Sequence, residues 1–234
     1  MNILITGASR GIGKAAFDLL KSTGHHVVGH STKGSDVLIA GNLTEPAAPR
    51  GIWETALAEL GGQIDILVNN AGIYEAVSDD ASDEDWHREW ARTLTINLQA
   101  AADLSRLAIS HFRDRGGEGR IVNVTSRAAF RGDSPEHWHY AASKAGMVGM
   151  TRSIARGYAG QGILCFGVAP GFTVSEMTEE YLAGRGGAQI VADIPLGRVA
   201  STTEIAEVIR WLAIDAPASA TGTIIDANGA SYVR

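Results

Sequence analysis

The chain has 234 residues, 45% hydrophobic and 20% charged, with 28 glycines and a formal net charge of −6. That length suits one α/β domain with a sizeable core. The acidic balance, without any cluster of Lys and Arg, excludes a nucleic-acid surface, which needs grouped cations to neutralise phosphates. No apolar run approaches the ~20 residues of a membrane-spanning helix.

Short apolar runs alternate with helical patterns from end to end. This predicts an α/β fold with a single doubly wound parallel sheet of about seven strands flanked by helices, and one domain over residues 1–234. The first strand, Ile3–Thr6, starts close to the N-terminus, with no basic region or cleavable apolar stretch before it. It leads directly into Gly7-Ala8-Ser9-Arg10-Gly11-Ile12-Gly13 and a helical pattern. Glycines between a strand and a helix allow a tight turn whose N–H groups approach a pyrophosphate, so Gly7, Ser9, Arg10, Gly11, Ile12 and Gly13 are expected at a dinucleotide.

Strands are expected next at His26–His30 and Val37–Ile39, and Ser31 to Asp36 between them is too short for a crossover helix. Dinucleotide folds that take NAD usually end the second strand with a carboxylate for the ribose hydroxyls. Here the residues are Ser31, Thr32 and Lys33. Hydroxyls and a cation suit a 2′-phosphate, with Arg10 as a second cation, so NADP(H) is favoured over NAD(H). A solvated polar loop would have the same composition.

The fourth strand is expected at Asp65–Asn69, and one face of a long helix is outlined by Trp86, Trp90, Leu94, Ala101, Leu104 and Ala108. After a fifth strand, Arg120–Thr125, the sequence Tyr140-Ala141-Ala142-Ser143-Lys144 sets a phenol and an ammonium at i and i+4 on one helix face. A neighbouring cation favours the phenolate, so this pair could shuttle a proton, although such pairs also occur on solvated helices. Cys165 is the single cysteine and falls in the sixth strand, Ile163–Ala169; it is expected to be buried and inert, in a cytoplasmic protein. Thr173–Leu196, long and rich in glycine, is expected to form a substrate flap. A last helix carries Ile205, Val208, Ile209 and Leu212 behind a Ser201-Thr202-Thr203-Glu204 cap, and Thr223–Asp226 is the final strand. His111, His137 and His139 lack a carboxylate or cysteine at metal-ligand spacing, and no metal is expected.

Taken together and in order, the glycine turn, Asn69-Asn70-Ala71-Gly72, Ser126 ahead of Tyr140-x-x-x-Lys144, and Pro170-Gly171 resemble the short-chain dehydrogenase/reductase family along essentially the whole chain. The nearest type within it is that of 3-oxoacyl-carrier-protein reductases and related carbonyl reductases. The resemblance implies a Rossmann fold and hydride transfer between NADP(H) and a carbonyl or secondary alcohol. Tyr140 would be the general acid/base, Lys144 would lower its pKa and bind the nicotinamide ribose, and Ser126 would hold the substrate oxygen. Asn97 would hold a water linking Lys144 to solvent, a role compatible with its being a polar kink in the long helix. Asn70, Ala71, Gly72, Pro170, Gly171 and Thr173 would surround the nicotinamide half, and Asn42 and Leu43 the adenine. The resemblance also implies a homotetramer or dimer packed through two long helices. An NAD-dependent alcohol dehydrogenase of the same family, or a dinucleotide-binding sensor without chemistry, are the alternatives.

The chain departs from the family pattern in three places. Asn42 replaces a common Asp, Gln161 stands where carrier-protein reductases often have Arg, and the segment from Ser126 to Tyr140 is one residue longer than usual. That segment holds Phe130, Arg131, His137, Trp138 and His139. These bulky residues imply an aromatic or otherwise flat substrate; the alternative is that Trp138 covers a helix start or a subunit contact.

Overall fold

Each apolar run of the sequence has become a strand. The computed structural model describes residues 1–174 and 187–234. The strands are β1 (Asn2–Thr6), β2 (His26–Ser31), β3 (Leu38–Ala40), β4 (Ile66–Asn69), β5 (Gly119–Val124), β6 (Ile163–Pro170) and β7 (Ile224–Ala227). They pair in parallel in the order β3-β2-β1-β4-β5-β6-β7. The order reverses between β1 and β4, so the loops leaving their carboxyl ends diverge and open a crevice there.

The helices, in chain order, are α1 (Gly11–Ser22), α2 (Ala48–Glu59), α3 (Asp83–Leu94), α4 (Ala100–Asp114), α5 (Ala128–Arg131), α6 (Trp138–Tyr158), α7 (Gly187–Ala192) and α8 (Thr202–Arg210). Alternate strand residues point to opposite faces. In β1, Ile3 and Ile5 enter one core and Leu4 the other, and all three are fully buried. Ala16, Leu20, Ile205 and Ile209 of α1 and α8 close the first core. Ile52, Leu104, Phe112 and Ile154 of α2, α4 and α6 close the second. Both faces are covered, which is why the strands are continuous apolar runs.

The long helix does not present one uninterrupted face. A π turn at Thr95–Gln99 separates α3 from α4, with the Ala100 N–H reaching back to the Thr95 carbonyl. The turn adds a residue and shifts the helical phase. Ala101, Leu104 and Ala108 line the core as expected, but Trp86, Trp90 and Leu94 are only half-buried, and Thr93 and Asn97 are buried instead. Cys165 is fully buried, and the Asn123 amide, itself held by Thr151, donates to its Sγ at 3.7 Å. Burial pushes this thiol's pKa far up. Of the expected flap over Thr173–Leu196, residues 175–186 lie outside the described residues. No helix among the described residues is long and apolar enough to cross a membrane.

The cap of α8 forms as its sequence predicts. The Glu204 N–H donates to Ser201 Oγ at 3.2 Å, and the Ser201 N–H donates to Glu204 Oε2 at 2.8 Å. Hydrogen bonds from Arg198, then from the Ser201 amide, hold the Glu204 carboxyl down at about 2. Ser201→Ala is expected to lower Tm by about 2–4 °C at neutral pH in a thermal melt. A depressed carboxyl contributes stability above its ordinary range and loses it as pH falls toward its folded value. The deficit should therefore shrink on acidification below about pH 4. An unchanged Tm would show that the cap contributes nothing.

Candidate active site

The crevice at the carboxyl edge of the sheet is an open cavity of about 770 Å³. Its floor is the glycine turn. Gly7 and Gly11 have φ of +69° and +56°, a left-handed backbone that disfavours side chains. A Cβ on Gly13 would lie 2.1 Å from the Gly7 carbonyl oxygen. The turn thus exists only without side chains at these points, and it leaves the first N–H groups of α1 facing the cavity. Gly7, Ser9, Arg10, Gly11, Ile12 and Gly13 all line it. Asn70 holds the turn from the next strand: its amide donates to the Thr6 and Gly7 carbonyls at 3.0 Å each. That amide is therefore committed to the turn, while Asn70, Ala71 and Gly72 still form wall.

At the far end the wall is made by Ser31, Thr32, Asn42 and Leu43; exposed Lys33 does not line it. Among the described residues Asp133, at the opposite end, is the only carboxylate on the wall. His30, missed in the sequence, occupies the end of β2. Buried, it places Nε2 at 2.9 Å from the Gly41 carbonyl and accepts a long 3.5 Å contact from the Gly7 N–H at Nδ1. It ties the glycine turn to the loop carrying Asn42 and Leu43, and burial lowers its pKa, favouring the neutral ring that these contacts require. A lone histidine at a strand end gave no sign of this.

Ser126, Tyr140 and Lys144 meet on the wall beyond the glycine turn, with Pro170, Gly171 and Thr173 opposite. One helical turn separates Tyr140 from Lys144, and the Ser126 hydroxyl faces the Tyr140 phenol. Burial pushes the phenol up to about 12, and the Ser126 contact only partly opposes this. Burial likewise lowers Lys144 to about 8; its Nζ donates to the Val124 carbonyl at 2.9 Å and lies 5.9 Å from the Tyr140 ring centre. The expected lowering of the phenol by Lys144 is thus not what dominates here, because burial outweighs it.

Asn97 lies behind this group rather than on the wall, at the π turn. Its Oδ1 accepts from the Ile73 N–H at 2.8 Å, and its Nδ2 donates to the Ile73 carbonyl and to Ser143 Oγ. A Cβ on Gly72 would come within 3.2 Å of Asn97 Oδ1 and 3.5 Å of Lys144 Nζ, so the two side chains flank one backbone point. The π turn and the neighbourhood of Lys144 are the same place.

In the segment between Ser126 and Tyr140, Trp138 takes the packing role rather than the substrate role. Trp138 does not line the cavity: it is 49% exposed and meets Trp86 edge-on, with ring centres 5.5 Å apart. It covers the start of α6 against α3, so it carries no argument for a flat substrate. What reaches the wall is polar: Arg127, Arg131, Asp133 and Ser134, with Tyr74 from the loop after β4. Tyr74 stacks on His137 with centres 3.9 Å apart and meets Tyr140 edge-on at 4.7 Å. Neither Tyr74 nor Arg127 was visible as a site residue in the sequence.

Residues 7–229 match the family described as Enoyl-(Acyl carrier protein) reductase. The 3-oxoacyl-[acyl-carrier-protein] reductase FabG of Escherichia coli is 36% identical, the alignment covering 98% of this chain and 96% of that protein. A short chain dehydrogenase from Burkholderia cenocepacia, solved in complex with NADP, superposes with a TM-score of 0.87 at 28% identity, over 98% of this chain and 97% of that one. The aldohexose dehydrogenase of Thermoplasma acidophilum, solved ligand-free, gives the same TM-score at 26% identity over 99% and 94%.

Proposed function

The chain belongs to the short-chain dehydrogenase/reductase family of oxidoreductases, and on that premise we propose that it reduces a carbonyl to an alcohol with NADPH, Tyr140 supplying the proton. The observation that carries this is the meeting of Ser126, Tyr140 and Lys144 in the same cavity as the side-chain-free turn before α1. When bound, NADPH supplies the hydride that reaches the carbonyl carbon. Ser126 holds the carbonyl oxygen and stabilises the charge that builds there. Tyr140 passes its phenolic proton to that oxygen, and Lys144 favours the phenolate that remains. Asn97 fixes Ile73 and Ser143 around Lys144 and positions the path by which the proton is replaced.

The preference for NADP(H) rests on Ser31, Thr32 and Arg10 lining an end of the cavity with no carboxylate among the described residues. Lys33 can reach a 2′-phosphate only from outside that wall. A titration with NADPH and NADH, followed by nicotinamide fluorescence, should give at least tenfold tighter NADPH binding, falling toward parity in Arg10→Ala. Equal affinities in the wild-type protein would overturn the cofactor preference and leave the catalytic group intact.

Subunits would associate as a dimer or tetramer through α4 and α6. In support, Gly149 of α6 is exposed with no atom near its missing Cβ, so a second helix can approach closely there. The lone buried thiol and the absence of a long apolar helix among the described residues fit a cytoplasmic protein.

A further inference from the structure

Three arginines line the substrate end of the cavity. Arg92 pairs with Glu75 and Glu89, and Arg131 pairs with Asp193 at 2.9 Å. Arg127 has no such partner among the described residues. It is 8% exposed, and its Nη1 donates to Ser231 Oγ while its guanidinium lies 4.9 Å from the Phe172 ring centre. Asp133 and Asp193 act on it only at longer range, and they are engaged by Tyr74 and Arg131. A buried guanidinium without a counter-ion is costly, and one hydroxyl satisfies one of its five donors. Burial and the repulsion of Arg131 both act against its charge, although a guanidinium stays protonated.

Its position says which anion it would meet. Arg127 directly follows Ser126, which shares the cavity wall with Tyr140, and its own N–H is fixed to the Pro170 carbonyl at 3.0 Å. The glycine turn and Thr32, where cofactor phosphates would sit, are elsewhere on the wall. We propose that Arg127 binds a carboxylate on the substrate, so that the ketone reduced is an oxo acid; this rests on the oxidoreductase reading above. The planar fork of the guanidinium matches a carboxylate in two parallel hydrogen bonds, and the Phe172 ring packs against it. The wall carries Arg10, Arg92, Arg127, Arg131 and Lys144 against a single carboxylate among the described residues, Asp133, although the chain is acidic.

The test uses pyruvate, acetoacetate and levulinate, each beside its methyl ester, with NADPH oxidation by the wild-type protein, Arg127→Lys and Arg127→Met. At least one acid should exceed its ester in kcat/KM by tenfold or more. In Arg127→Met that acid-to-ester ratio should fall by ~10²-fold, mostly through KM, and Arg127→Lys should restore part of it. Esters preferred over every acid, or acid and ester losing rate equally in Arg127→Met, would overturn the assignment and leave the reductase standing. No turnover of any member, with NADPH bound, would overturn the reductase reading and this one with it.

Discussion

Tyr140→Phe is expected to lower kcat for carbonyl reduction by ~10²–10⁴-fold while leaving the affinity for NADPH within about threefold. The substitution keeps the ring that meets Tyr74 edge-on and removes only the hydroxyl facing Ser126. A phenol at about 12 is protonated across the working range, which suits a donor in reduction and penalises the reverse reaction until the cofactor's positive charge is present. Lys144 sets the second limit. Its lowered value of about 8 means that the ammonium is present below that pH and lost above it. Since kcat/KM reports the free enzyme, it should hold below about pH 8 and fall tenfold per unit beyond. Steady-state rates between pH 6 and 10 check both points. A Tyr140→Phe protein within tenfold of the wild-type kcat would remove Tyr140 from the mechanism.

Gly13→Ala is expected to be strongly damaging for a single added methyl. The new Cβ would lie 2.1 Å from the Gly7 oxygen and 2.3 Å from the Asn70 amide nitrogen. Both neighbours are committed, Gly7 to a left-handed turn and Asn70 to the carbonyls it clamps, so the turn has to open. Ordinary overpacking costs ~1–3 kcal/mol; a clash with backbone should cost at least about 3 kcal/mol and weaken NADPH binding by ~10²-fold or more. Gly51→Ala is the control. It lies in α2 with no atom within 4 Å of its missing Cβ, and alanine there should be neutral or stabilise by about 0.5–1 kcal/mol. Denaturant melts and NADPH titration of the two variants decide the matter; similar behaviour would show that the turn tolerates a side chain.

The sheet was legible because β-strands buried on both faces leave continuous apolar runs, and each run from Ile3 to Asp226 was found within a residue or two. The glycine turn and the Tyr140–Lys144 pair were legible because their chemistry is local, within one turn of backbone. What escaped depends on contacts distant in sequence. The π turn at Thr95–Gln99 changes the phase of a helix without changing its composition, so Trp86 and Trp90 were assigned to the same face as Leu104. Trp138 was left open between substrate and packing, and only its contact with Trp86, from another helix, decides it. Arg127 and His30 were invisible for the same reason. Burial among Ser231 and Phe172, or between Gly7 and Gly41, gives an ordinary cation and an ordinary imidazole their significance.

Cys165 sits in β6, one strand in from the edge of the sheet, paired with Ile121 of β5, its N–H donating to Thr221 ahead of β7, and touched by Asn123. As the chain's only sulfhydryl, it is the single atom by which two copies could be joined through a disulfide. Because the folded sheet withholds it, the covalent state of the molecule is uncoupled from the redox poise of its surroundings. Oxidative cross-linking becomes a fate of opened chains alone, so any oxidised dimer records past loss of the native sheet.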